Sequence, residues 1–176
     1  MLKNIILAGF GGQGVLFAGK VLAYAGLCDD KNVSWLPSYG PEMRGGTANC
    51  SVVVSDKPIG SPLVLNPDLL VVMNQPYYDK FIDSVVSGGV VVYDSSLIEA
   101  KNLRNDVTML KVDATELAEK NGLSGLSNMI LIGRAIKETP FVSDEGVDKG
   151  LQKSIPPKKA NLLDSNRKAI ELGKSL

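Results

Sequence analysis

Short apolar runs, separated by glycines, prolines and small polar residues, recur along the first two thirds of the chain, with stretches of helical length between them. Residues 4–8 form a continuous apolar run ending in glycines, the pattern of a strand buried on both faces of a parallel sheet. Residues 14–27 read as a helix whose one charge is Lys20. A helix that is apolar nearly all round must be covered on more than one side. Its small residues, Ala18, Gly19, Ala23, Ala25 and Gly26, admit another backbone, either inside the domain or across a subunit interface. Residues 32–36 predict a second strand, stopped by Pro37. A polar, glycine-rich loop over 38–46 and a Val-rich third strand over 47–55 follow. Further strands are predicted at 69–73, 90–93 and 108–112, and helices at 77–86, 114–120, 126–138, 144–153 and 157–172. Strands alternating with helices give an α/β class. The expected architecture is a single three-layer, Rossmann-like domain over residues 1–176, with a largely parallel or mixed sheet and helices appended at the C-terminal end.

Composition narrows the chemistry. The 176 residues are 44% apolar and 22% charged, ordinary values for a soluble domain, and no repeat, low-complexity tract or linker interrupts them. With 19 Lys plus Arg against 19 Asp plus Glu, there is no long-range field to attract nucleic acid. The absence of histidine removes Ser-His and Cys-His nucleophile pairs and imidazole metal sites. Two cysteines, Cys28 and Cys50, cannot by themselves hold an iron-sulfur cluster or a four-Cys zinc site. No apolar run approaches the roughly 20 residues of a membrane span, and glycines from Gly9 onward break any signal-peptide core. A cytoplasmic protein with reduced thiols and no membrane partner is expected.

Gly9-Phe10-Gly11-Gly12-Gln13-Gly14 satisfies G-x-G-x-x-G directly after the first strand and at the opening of the first helix. In such a turn the first glycine permits a sharp bend and the second lets backbone approach a phosphate. The third allows close helix–sheet packing, while the helix N-terminus offers free N–H groups. The acidic residue expected to hold an adenosine ribose is missing, because Pro37-Ser38-Tyr39 follows the second strand. A nicotinamide dinucleotide is thereby disfavoured.

The segment Pro37-Ser38-Tyr39-Gly40-Pro41-Glu42-Met43-Arg44-Gly45-Gly46 is the most informative of the sequence. Its prolines and glycines fix an irregular backbone at the carboxyl edge of the sheet, where open α/β folds bind ligands. Arg44, with Gly45 and Gly46 behind it, offers a guanidinium fork and bare N–H groups to a phosphate or carboxylate; an ion pair with Glu42 is the structural alternative. Together with residues 9–15, the Val-rich strand after Cys50, and Asn66-Pro67-Asp68 with its strand, this segment closely resembles the gamma subunit of the 2-oxoacid:ferredoxin oxidoreductases. The wording is most like the 2-oxoglutarate branch, and Asn128 fits the family's late helix.

The resemblance implies an enzyme that decarboxylates a 2-oxoacid on thiamine diphosphate, passes electrons through iron-sulfur clusters to ferredoxin, and releases an acyl-coenzyme A. Thiamine diphosphate, magnesium and the clusters would sit on thiamine-binding alpha and beta subunits and a ferredoxin-like delta subunit. This chain would contribute assembly and coenzyme A binding and hold no catalytic or metal-ligating residue. The site expected for the coenzyme comprises Gly9, Gly11, Gly12, Gln13, Gly14, Ser38, Tyr39, Arg44, Gly45 and Gly46. In isolation the chain could self-associate in place of its partners. The alternative is a free-standing dinucleotide-dependent dehydrogenase, whose acid or base would have to be a tyrosine, lysine or carboxylate.

Other residues read as structural: the two cysteines as small buried or half-buried groups, Asp94-Ser95-Ser96 as a turn or cap, and the C-terminal lysines as a solvated face. Trp35 and Tyr39 flank the loop, where stacking on an adenine is open to both, with core packing the favoured reading of Trp35. Tyr77-Tyr78 is open to a ligand or partner contact.

Overall fold

The computed structural model describes residues 1–39, 46–101 and 103–176. Six strands form one sheet: β1 (Leu2–Phe10), β2 (Asn32–Tyr39), β3 (Thr47–Ser55), β4 (Leu69–Val72), β5 (Val90–Asp94) and β6 (Thr108–Val112), in the order β2-β3-β1-β4-β5-β6. β1, β4, β5 and β6 are parallel, and β3 lies antiparallel between β2 and β1. That exception follows from length. Only residues 40–46 join β2 to β3, too few for the crossover a parallel pair needs.

Alternation along the strands splits the core in two. Ile5 and Leu7 of β1 pack with Val52, Val54 and Val71, whereas Ile6 and Ala8 pack with Val53, Leu70 and Val72 on the other face. Because both faces are buried, a one-residue slip would exchange the two sets. The first face is covered by α1 (Val15–Cys28), α3 (Ala114–Lys120), α4 (Ser127–Glu138), α5 (Asp144–Ser154) and α6 (Leu163–Ser175). The second carries α2 (Gln75–Phe81), a 3-10 turn at Ile82–Ser84, and the connection through Val64. The expected three-layer α/β arrangement with a mixed sheet is therefore present.

α1 is buried between the sheet and α5. A Cβ at Gly150 would lie 2.7 Å from Val21 O, so the two helices touch backbone to backbone. The Asp29 carboxylate after α1 accepts from Ser143 N and Ser143 Oγ, both at 2.5 Å, and Ser143 Oγ in turn accepts from Gly146 N to cap α5. The second cover that an all-apolar helix demands is supplied from within the chain.

Three elements show instructive differences from the sequence reading. β2 does not stop at Pro37 but runs on to Tyr39, with Pro37 opposite Cys50. An edge strand tolerates proline because its outer side has no ladder to serve. The helix expected at 77–86 begins at Gln75, capped by Asn74 Oδ1 accepting from Tyr77 N, and ends at Phe81. Beyond it Arg104 Nη1 donates to Ile82 O (3.1 Å) and Val85 O (2.6 Å), satisfying carbonyls that leave the helix. The helix expected at 157–172 divides into a 3-10 segment, Pro157–Leu162, kinked at Lys159, and α6.

Candidate functional site

The carboxyl end of β1 passes into α1 through the glycine turn, beside the point where the chain leaves in opposite directions for β2 and β4. Such switch points are where open α/β sheets leave a crevice. A cavity of about 570 Å³ opens there, walled by the glycine turn, the first turn of α1 and the facing ends of β2 and β3. Concavities of about 540 Å³ beside Tyr93 and about 570 Å³ beside Met1 are as large, so volume alone selects nothing. The cavity at the turn is distinguished by having the N-terminus of a 14-residue helix in its wall.

The roles of the glycines differ from the simple motif reading. Gly9 belongs to β1 and makes no bend; a Cβ there would lie 2.6 Å from Gln13 Oε1 and 2.8 Å from Val15 Cγ2. It clears space for Gln13, whose Oε1 accepts from Phe10 N (2.6 Å) and whose Nε2 donates to Met73 O (3.1 Å). Gln13 thus ties the turn to the end of β4 and points away from the cavity. Gly11 N donates to Gly46 O at 2.8 Å, joining the turn to the start of β3. Gly12 (φ 100°) and Gly14 (φ 71°) occupy the left-handed region, and Gly14 is the cap residue of α1. Among the described residues no side chain caps this helix, so the amides of its first turn, which lies in the cavity wall, have no side-chain or intrahelical partner.

Asn128, at the start of α4, is a residue of this region that sequence reasoning placed only in a late helix. It is 4% exposed, and its Nδ2 donates to Gly14 O at 3.0 Å while Oδ1 accepts from Met129 N at 2.9 Å. The one signal for it is an amide set at the head of the apolar run 129–132.

Gly11, Gly12, Gly14 and Gly46 therefore line the cavity, whereas Gly9 and Gln13 shape the turn behind it. Ser38 is exposed on β2 and is not part of the wall; the backbone of Tyr39 ends the same strand. Arg44, Gly45 and Glu42, the alternative ion-pair partner of Arg44, lie outside the described residues. Among the described residues that line the cavity none is charged, and Phe10, Phe17 and Trp35 give it aromatic walls. Trp35 is 37% exposed and not the core residue expected: one edge of its indole packs on Gly19 and the rest faces the cavity.

Beneath it Cys50 is fully buried, and burial pushes its thiol up to about 12. Cys28 is half-buried at the end of α1. A thiol with so little thiolate at neutral pH does not react. A thiol-specific reagent should therefore modify Cys28 alone in the native chain and both cysteines after denaturation, as peptide mass spectrometry would show.

Tyr77 and Tyr78, open to a ligand contact by sequence, are buried instead, with Tyr77 Oη accepting from Asn49 Nδ2 at 3.0 Å. Asp94 is buried and accepts from Ser96 N, Thr115 N and Thr115 Oγ1, which makes it a turn and cap residue. No cluster of three or more acidic or cysteine side chains able to hold a metal occurs among the described residues, and none of their helices is long and apolar enough to cross a membrane.

A sequence profile for the family described as pyruvate ferredoxin/flavodoxin oxidoreductase matches residues 4–176. The chain belongs to this family. Among members of the pyruvate ferredoxin/flavodoxin oxidoreductase family, 2-oxoglutarate synthase subunit KorC of Methanocaldococcus jannaschii is 40% identical, covering 100% of this chain and 96% of its own length. Ketoisovalerate oxidoreductase subunit VorA of Methanothermobacter thermautotrophicus is 39% identical over 97% of this chain, which spans only 35% of that relative. In the crystal structure of a keto/oxoacid ferredoxin oxidoreductase gamma subunit from Geobacter sulfurreducens the fold recurs at a TM-score of 0.81 and 29% identity, covering 97% of this chain and 95% of that one. A 2-oxoglutarate:ferredoxin oxidoreductase from Magnetococcus marinus, with 2-oxoglutarate, coenzyme A and succinyl-CoA bound, shares the fold at a TM-score of 0.88 and 22% identity, over 99% of this chain and 30% of that chain. The expectation of a gamma subunit of a 2-oxoacid:ferredoxin oxidoreductase holds, and the chain is one subunit of a multi-subunit oxidoreductase.

Proposed function

We propose that this gamma subunit serves an enzyme that oxidatively decarboxylates 2-oxoglutarate to an acyl-coenzyme A, and that its glycine turn and the following loop bind the coenzyme. Full-length similarity to a 2-oxoglutarate synthase subunit supports the substrate. The single observation that carries the binding role is the uncapped N-terminus of α1 opening into an aromatic-walled cavity at the switch point of the sheet. The helix end offers N–H groups and positive potential to a phosphate, while the apolar walls suit a less polar part of the same molecule. Gly11, Gly12, Gly14 and Gly46 present backbone to the cavity, Gly9 and Gln13 hold the turn in shape, and Ser38 and Tyr39 lie on the strand that leads into the loop. Arg44, with Gly45, supplies the countercharge that the described walls lack.

The decarboxylation and electron transfer belong to partner subunits in this reading. Thiamine diphosphate, magnesium and iron-sulfur clusters would be held by alpha, beta and delta subunits, with ferredoxin as acceptor and the cytoplasm as the location. Of the chain's two thiols, Cys50 is buried and inert. The free-standing dehydrogenase loses its footing, since β2 ends at Tyr39 without a carboxylate for a ribose.

Arg44→Ala in the assembled enzyme should raise the Michaelis constant for coenzyme A by about tenfold, the effect of losing one charge-assisted hydrogen bond to phosphate. Thiamine and iron content should not change. An unaltered constant for coenzyme A would remove the role given to Arg44. On the isolated chain, thermal shift offers a check on the ligand class: coenzyme A at 100 times its dissociation constant should stabilise by about 2.7 kcal/mol, and NAD should not.

A further inference from the structure

The second face of the sheet is unevenly covered. Helix α2 and the turn after it lie over β1, β4 and β5, but no helix lies over β2 and β3 on that side. Strands of an α/β sheet are ordinarily covered on both faces. Here Leu36 of β2 is 38% exposed on the face opposite Trp35. Its β3 neighbour Ser51 accepts from Val64 N at 3.4 Å, which fixes the 56–68 connection beside it and leaves Leu63 (56%) and Leu65 (69%) projecting. Leu63 shares the wall of the cavity of about 570 Å³ with Leu2, itself 58% exposed. Leu2 and Leu63 thus line a groove on this face, Leu36 and Leu65 are exposed on the strand and connection beside it, and Lys57 is the one charged side chain among the described residues that line the groove. Patches of this kind on a soluble domain mark interaction sites.

The lengths of the relatives name the occupant. This domain makes up 35% of the VorA chain and 30% of the Magnetococcus chain, so in those proteins another two thirds of polypeptide is tethered to it. A domain released from such a tether must hold the same neighbour by surface alone. We infer that the apolar face formed by Leu2, Leu36, Leu63 and Leu65 seats the heterologous subunit that corresponds to the remainder of the longer chains, through an uncharged, apolar surface on that partner. The inference rests on the reading of this chain as one subunit of a larger enzyme and adds the surface by which it is held. A second copy is the competing occupant, and the longer relatives favour a tethered neighbour over it because each carries about two thirds of its length beyond this domain.

The test uses the complex purified through a tag on this chain from cells that make all its subunits. The Leu63→Glu/Leu65→Glu variant should retain at least about tenfold less of the thiamine-binding partner, while a Leu27→Glu/Leu162→Glu control on the helical face retains as much as wild type. The isolated variant should melt within a few degrees of the isolated wild type, since both leucines are exposed. Hydrogen exchange should show residues 57–65 and β2 protected in the complex relative to the free chain. Equal partner retention by the variant, or no added protection at these segments, would overturn the inference while leaving the subunit assignment standing. Wild-type chain that retains no thiamine-binding partner would remove that assignment and the inference with it. A free-chain dimer dissociated by the same variant, with partner retention unchanged, would give the face to a second copy.

Discussion

Gly133→Ala should lower the melting temperature by up to about 8 °C, although an exposed-helix rule predicts the opposite sign. Alanine is favoured over glycine inside a helix by about 1 kcal/mol. At Gly133, midway along α4, an added Cβ would meet Ile170 of α6: 2.9 Å from its carbonyl carbon, 3.1 Å from its Cα and closer still to its oxygen. The contact is reciprocal, because a Cβ at Gly173 would lie 2.8 Å from Ile130 C and 3.0 Å from Arg134 N. Obstacles made of backbone cannot rotate away, so the two helices must separate. Overpacking of this kind costs about 1–3 kcal/mol and at times more. For a chain of this size each kcal/mol moves the midpoint by about 2–4 °C. The propensity gain is therefore outweighed, and α6 should lose hydrogen-exchange protection first because it is held chiefly by α4. Gly60→Ala, where a Cβ meets nothing within 4 Å, is the control and should be neutral within about 0.5 kcal/mol. A melting point for Gly133→Ala at or above wild type would show that the crossing relaxes.

The strands were legible in the chain because their burial is written in period-two and continuous apolar runs, and each of the six is found where such a run stands. Element ends were not. Pro37 reads as a stop when β2 is taken as an ordinary strand, and it becomes harmless once β2 is known to lie at the edge, a fact of sheet order that local sequence does not contain. The antiparallel β3 is different. The seven residues between Tyr39 and Thr47 already limit the pairing to antiparallel, so length alone carries that part of the topology. The layering of α1 was half legible: its apolar surface announced two covers, but that α5 is the second depends on Gly150 and the clamp from Asp29 to Ser143, contacts more than one hundred residues apart.

At the candidate site, the motif placed the turn and the helix start, because G-x-G-x-x-G after a strand has one local geometry. It misassigned Gly9 and Gln13. Gly9 is required by a side chain, not by a bend, and Gln13, expected to face a ligand, faces the sheet, where it bonds Phe10 N and Met73 O. Asn128 was out of reach for the same reason as α5. Its bond to Gly14 O joins residues 114 apart, and nothing local distinguishes it from any amide near a helix start.

Gly14→Ala should be the most damaging single methyl in the site, and its cost should divide into two separable parts. At φ 71° an alanine suffers the left-handed penalty of about 1–2 kcal/mol. Its Cβ would also lie 2.5 Å from Asn128 Nδ2, so the amide must swing out and surrender its bond to Gly14 O. Asn128 is 4% exposed, and a buried amide left without its partner costs about another 1–3 kcal/mol. Together these should shift the midpoint by about 5–15 °C. Gly14→Asn isolates the second part, since asparagine tolerates the left-handed region while its Cβ still strikes Asn128. Asn128→Ala isolates the other: in wild type it removes a good hydrogen bond, whereas in the Gly14→Ala background it removes a clash. It should therefore cost at least about 1 kcal/mol less in the double variant than alone, a coupling measurable by a double-mutant cycle in urea. Strict additivity of the two substitutions would mean that Asn128 does not hold the turn. In the assembled enzyme the same displacement moves the first amides of α1, so Gly14→Ala should raise the Michaelis constant for coenzyme A while Asn128→Ala, which leaves the backbone conformation of Gly14 unforced, should raise it less.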